Sequence, residues 1–246
     1  MNYFDNPNLP NKRSSGVLVD YRISEESVNE LNSLGINVYK TKSVKALYNA
    51  VQGHADMQIH HAGGNRFIAA PEVYEYYKSV LPDTDIIKGS NELISKYPGD
   101  ICYNAAAFGD YLICNAAYTA KEILSEYCST KRTVLNVKQG YAKCSVCVIN
   151  KDAIITSDKS IAKAAIQHEI DVLQIEPGYI NLKDMSYGFI GGAAGLLAPD
   201  ILSVNGDIKT HINYKNIISF CKNYNVEVIS LKKGEIEDIG SIIPLF

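Results

Sequence analysis

Hydrophobic and polar positions return in the same order five times along the chain, the fifth copy being divided between its two ends. Each unit carries an extended stretch, a second apolar strand, a polar cap and a helix, usually followed by a third strand. The second strand and helix read as Arg66-Phe67-Ile68-Ala69 into 72–78 and Asp110-Tyr111-Leu112-Ile113 into 119–127. They recur as Asp152-Ala153-Ile154-Ile155 into 158–168 and Asp200-Ile201-Leu202-Ser203 into 214–224. The opening unit, Ser15-Gly16-Val17-Leu18-Val19 into a helix over 24–34, lacks a leading strand. That strand is read at the opposite end, as Asp238-Ile239-Gly240-Ser241-Ile242-Ile243. Joining the two closes a ring of repeats without an open sheet edge.

Local signals punctuate the repeats. Thr119-Ala120-Lys121-Glu122 has the spacing of a capping box, and Asp158 and Asn213 are suited to cap the next two helices. Gly35 and Asn225 stand where a left-handed residue ends a helix before the next strand. The closing strands 37–39, 134–137, 171–175 and 227–231 are short and rich in Val, Ile and Leu, which reads as central strands under helices. The units return about every 42 to 49 residues with no long linker, so 1–246 is expected to be one domain, with 1–13 an irregular N-terminal segment.

Composition narrows the function classes. A 46% hydrophobic content over 246 residues supplies a large core. A net charge of −3 gives no basic field for a nucleic-acid backbone or an anionic membrane, and neither partner is expected. No apolar run approaches the roughly 20 residues of a membrane span, and the expected location is cytoplasmic. The six cysteines, at 102, 114, 128, 144, 147 and 221, fall mostly inside apolar strands or helices and read as buried thiols.

A five-fold α/β ring with its seam between the chain ends resembles the pentein fold, the α/β-propeller of the guanidino-group-modifying enzymes (GME), built of pseudosymmetric ββαβ repeats. The ribosome anti-association factor of eukaryotes and archaea shares it. The segments 53–58, Val137-Lys138-Gln139-Gly140-Tyr141-Ala142-Lys143-Cys144-Ser145-Val146-Cys147 and 187–195 are similar to those of an uncharacterised bacterial family assigned to this fold. The resemblance implies covalent catalysis on a C–N bond: a Cys near the C-terminus as nucleophile, a His on the first strand of a middle repeat moving protons, and carboxylates gripping the substrate. This chain departs at both reactive positions. No cysteine follows Cys221, so the closing strand offers only Ser241, and the region expected to carry the His reads Tyr141-Ala142-Lys143.

The resemblance also implies that the first strand of each repeat lines a central channel. Aligning 56–60, 100–104, 143–147, 187–191 and 238–242 and taking every second residue gives three stacked rings. The first holds Asp56, Asp100, Lys143, Tyr187 and Asp238, the second Gln58, Cys102, Ser145, Phe189 and Gly240, and the third His60, Asn104, Cys147, Gly191 and Ile242. Three carboxylates against one lysine leave the hub acidic, which suits a small cationic or amino-acid-like ligand. The expected substrate-binding residues are Asp56, Gln58, Asp100, Asn104, Lys143 and Asp238. The bland alternative makes the acids turn or cap residues at strand starts.

Cys147 and His60, sharing the third ring, are the remaining candidates for an activated nucleophile, against the more ordinary reading of a core thiol and a satisfied imidazole. The odd spacing of Cys144 and Cys147 on a strand points them to opposite faces, which disfavours a shared metal or a disulfide. His54, His60, His61 and Asp56 lack a stereotyped ligand spacing, and no metal or cofactor is expected. Ala62-Gly63-Gly64-Asn65 reads as a hairpin turn, and Gly191-Gly192-Ala193-Ala194-Gly195 as close backbone approach at the channel. Two functions compete: a ligand-binding protein with possible hydrolase chemistry on a C–N bond, and a non-catalytic interaction protein of the same fold.

Overall fold

Apolar runs of four or five residues set the scale of the architecture, since each fills one short strand. The computed structural model describes residues 2–81 and 83–246. Met1, within the segment expected to be irregular, lies outside them. The first sheet contains β1 (Gly16–Val19) and β2 (Asn37–Lys40). The second is β3 (Ile59–Gly63), β4 (Arg66–Ala69) and β5 (Asp85–Lys88); the third is β6 (Ala106–Phe108), β7 (Tyr111–Cys114) and β8 (Thr133–Asn136). The fourth is β9 (Cys147–Asn150), β10 (Ala153–Thr156) and β11 (Asp171–Gln174), and the fifth β12 (Ala194–Ala198), β13 (Ile201–Val204) and β14 (Glu227–Ser230). The last strand, β15 (Ile243–Pro244), returns to the first sheet.

Every sheet repeats one pattern: the middle strand runs antiparallel to the strand on one side and parallel to the one on the other. The seam lies where the repeats place it, with Val17 opposite Pro244 and Leu18 opposite Ile243. The closing strand is shorter than the sequence suggests. Residues 238–242 form a turn, with Gly240 at φ 67° and Ser241 at φ 78°, a backbone that a strand does not adopt. The third strands are also corrected: the middle of each sheet belongs to the second strand, and the third lies at the outer edge. In β14 both Glu227 and Ser230 are exposed.

The long helices follow the apolar periodicity. They are α1 (Glu25–Ser33), α3 (Tyr74–Val80), α4 (Lys121–Ser129), α6 (Lys159–Gln167) and α7 (Tyr214–Asn223); α2 (Ala55–Gln58) and α5 (Ala142–Ser145) are single turns. Ser24 caps α1 through Ser27 N, and Asp158 caps α6 through the N–H groups of Ser160 and Ile161. The capping box at Thr119 does not form, because α4 starts at Lys121 and the Thr119 hydroxyl donates to Asn115 O. Asn213 holds the N-cap position of α7 but spends its Oδ1 on Glu176 N. Gly35 and Asn225 are left-handed, at φ 78° and 58°, as the helix-to-strand turn requires.

The core fills the space between helices and sheets, with Tyr77, Tyr103, Tyr127, Phe67 and Phe108 among its largest fully buried side chains. Tyr3 and Phe246 pack edge to face across the seam, and Phe4 N donates to Leu245 O. Residues 2–13 are irregular in backbone, with Phe4 tied to Leu245 and Gly64 by main-chain hydrogen bonds. Among the described residues no helix is long and apolar enough to cross a membrane.

Candidate functional site

Hydrogen-bond register, rather than strand-opening residues, sets the true phase of the repeats. Ile68, Ile113, Ile155, Ser203 and Leu18 lie opposite His60, Ala106, Cys147, Gly195 and Ile243. Four residues earlier come Asp56, Cys102, Lys143, Gly191 and Ile239, so Asp100, Tyr187 and Asp238 stand two, four and one residues ahead of the equivalent positions. The period-2 argument also fails locally, because 55–58 and 142–145 are helical turns. The three stacked rings therefore do not exist as drawn. A different constellation takes their place.

Its centre is Asp56, supplied by α2. Asp56 Oδ2 accepts from Ser241 Oγ at 2.7 Å and from Cys144 Sγ at 3.1 Å. Lys143 Nζ donates to Ser241 Oγ at 2.9 Å, tying α5 to the closing turn. Burial pushes the Lys143 ammonium below its usual range and the Cys144 thiol well above its own, the latter helped by the charge of Asp56. Asn104 holds the start of α5: its Oδ1 accepts from Lys143 N at 2.7 Å and its Nδ2 donates to Cys144 Sγ at 3.1 Å.

Asp238 lies alongside. Its Oδ2 accepts from Phe189 N and its Oδ1 from Gly240 N, and Oδ1 stands 3.8 Å from His54 Nδ1. Burial raises its pKa, partly opposed by His54. Gly188 and Gly192 leave the room it occupies: a Cβ on either would overlap Asp238. Gly191 and Gly195 likewise touch the backbone of Val146 and Ile242. This is the close approach expected of the glycine-rich stretch.

Above these groups opens a cavity of about 220 Å³, with His54, Cys144 and Asp238 among its lining and Tyr48, Tyr141, Tyr187 and Phe189 around it. Tyr141 and Phe189 are stacked at 6.3 Å, and Tyr187 meets Phe189 edge on. These rings wall the cavity; they do not fill it. A second cavity of about 180 Å³ shares Ala50, Leu182 and Asp238 and brings Asp20, Arg22 and Lys183. Asp20, buried and paired with Arg22, was not singled out in the sequence; the sharp contact a Cβ on Gly53 would make with it marks the spot only in three dimensions.

The other expected site residues have separate roles. Asp100 is fully buried and accepts from Tyr141 OH at 2.5 Å, so it supports the aromatic wall from behind. Gln58 is consumed by structure: its amide donates to Lys42 O and Gln52 O and its Oε1 accepts from Tyr77 OH. His60 is bonded through Nε2 to Tyr127 OH and held near pKa 3, chiefly by burial. Cys147 packs among Ile149, Ile155 and Ala194 in a different cluster. The proposed pairing of Cys147 with His60 is thus not made, because the register sends them into the cores of different sheets. Cys144 and Cys147 do diverge, one to the hub and one to the core, and both are free thiols. His54 and Asp56 were weighed with His60 and His61; the structure brings the first two together with Cys144.

Comparison with known proteins fits this architecture. A model for a family of unknown function, DUF6873, matches residues 18–243. The chain belongs to DUF6873. No curated protein matches it. Among solved structures it is similar to an amidinotransferase of Microseira wollei from the saxitoxin biosynthetic pathway, at 12% identity and TM-score 0.56, covering 93% of this chain and 90% of that one. An inosamine-phosphate amidinotransferase of Streptomyces griseus gives 11% identity and TM-score 0.56, over 94% and 90%. The DDAH of Pseudomonas aeruginosa, complexed with citrulline, gives 8% and 0.54, over 95% and 100%. At such identities the likeness establishes the fold: this DUF6873 member is a pentein-fold α/β propeller. In it the two positions where a nucleophilic Cys and a His were sought hold Ser241 and Lys143, in direct hydrogen-bond contact and both buried.

Proposed function

We propose that this DUF6873 protein binds a small organic cation, a guanidinium or amine of amino-acid-like size, in the aromatic-walled cavity. The observation that carries the reading is Asp238, a buried carboxylate at the cavity with two backbone N–H donors and acceptor capacity to spare. A carboxylate taken from water is unfavourable until a cation meets it, and the faces of Tyr141, Phe189 and Tyr187 favour a cation further. The adjoining cavity presents Lys183 and Arg22, cations suited to a ligand carboxylate, although Arg22 is already held by Asp20 and by the carbonyls of Asn49 and Ala50.

The test is thermal unfolding with arginine, agmatine and citrulline in the presence of EDTA. Arginine or agmatine is expected to raise Tm in the wild type and not in Asp238→Asn. Equal shifts in both proteins, or none in the wild type, would reject the reading.

A further inference from the structure

Two residues lining the cavity, His54 and Cys144, meet a third, the buried Asp56, in a set that the organic-cation reading does not use. A ring nitrogen of His54, a carboxylate oxygen of Asp56 and Sγ of Cys144 all lie within 4.8 Å of one another, and all three residues are buried. We propose that His54, Asp56 and Cys144 form a binding site for a divalent transition-metal ion of the zinc class, with one coordination position left open toward the cavity.

The donor set fits that ion. One imidazole, one carboxylate and one thiolate are each established zinc ligands, and three protein ligands with an open fourth position describe a reactive site, as opposed to a closed structural one. Bonds of about 2.0–2.3 Å in a tetrahedron separate ligand atoms by roughly 3.3–3.8 Å. The present spread closes with a side-chain movement of about an ångström. A second observation points the same way: His54 Nδ1 and Asp56 Oδ1 are buried and have no hydrogen-bond partner. Buried polar atoms left so are costly, and a cation satisfies both at once. Outer partners are present as well. Asn104 Nδ2 holds Cys144 Sγ, and Ser241 Oγ holds Asp56 Oδ2.

Charge balance follows. The ion replaces the proton on Cys144 Sγ, which leaves to solvent, so that Asp56 and the thiolate cancel its two positive charges. Lys143 is the nearby opposing cation, and its Nζ is turned to Ser241 Oγ. Asp238 then remains free for an organic cation in the same cavity. Metal binding stands without the ligand reading, and the two are measured separately.

Chelator-treated protein is titrated with Co²⁺, the spectroscopic substitute for Zn²⁺. One equivalent is expected to give a thiolate-to-cobalt charge-transfer band that Zn²⁺ abolishes, with release of a proton. Cys144→Ser, close in size, is expected to lose the band and to weaken Zn²⁺ binding by roughly a hundredfold or more, beyond the range usual for outer partners. Asn104→Ala is expected to weaken it by about ten- to a hundredfold, and Cys147→Ala to leave the band intact. The wild-type titration is decisive without any variant: no charge-transfer band at one equivalent overturns the site. So does a band that survives Cys144→Ser and disappears with the exposed Cys128 replaced. Failure of arginine or agmatine to bind in EDTA rejects the organic ligand and leaves these outcomes unaffected.

Discussion

Asp238 carries the electrostatic tension of the site, because burial favours its protonated form while a cationic ligand requires the charged one. Its folded pKa lies above the unfolded value, so ionising it costs stability as pH rises through that raised value. A bound cation recovers that cost. The stabilisation given by agmatine is therefore expected to grow as pH rises through that raised value, and Asp238→Asn to flatten this dependence in thermal unfolding. Gly240 offers a steric test. At φ 67°, with the space of a Cβ already taken by His54, Gly240→Ala is expected to lose about 1–3 kcal/mol in denaturant unfolding. His54 itself was visible in the sequence only as one histidine among several. Nothing in the spacing of 54, 56 and 144 announces that they meet.

At the scale of elements, the single turns α2 and α5 position the site, and each is fixed by contacts made far away in sequence. Asn104 holds α5 by its first N–H groups, and Gln58 anchors α2 to the chain at 42 and 52. The longer helices depend on local caps. Asp158→Ala removes the acceptor for two N–H groups of α6 and is expected to cost about 1 kcal/mol, read as a lower Tm. Thr119→Ala is expected to cost less, since the capping box it suggested is not formed. The helices and second strands were legible because their period and composition are local properties. The hub segments were not: four residues can close a helical turn or extend, and tertiary partners decide which.

The whole molecule depends on its seam. Residues 243–246 pair with β1, and Leu245 and Phe246 are buried against the first and second sheets' core. Deleting them leaves β1 an open edge and a cavity, and is expected to abolish cooperative unfolding or lower Tm steeply, by calorimetry or circular dichroism. Acid stability is also a global property. Burial holds His60 near pKa 3 and His61 near pKa 4, below the ordinary imidazole value of about 6.5. The unfolded chain therefore binds protons first as pH falls below about 6.5, and stability declines through that window by on the order of a few kcal/mol. His60→Gln, retaining a partner for Tyr127, is expected to reduce the slope of stability against pH between 6 and 4.

The five-fold repeat, the return of the last strand to the first and the glycine-rich approach to the hub were all determined by the chain's own pattern, since periodicity and small residues constrain backbone directly. The acids at 56 and 238 were singled out there as ligand-binding residues. Which groups meet was decided by tertiary structure. A shift of one to four residues between repeats exchanged the expected ring of acids for His54, Asp56 and Cys144 beside Asp238, with Ser241 and Lys143 beneath. The physical reason is that strand register follows hydrogen bonding across each sheet, and the hub segments at 55–58 and 142–145 close into helical turns instead of extending the strands.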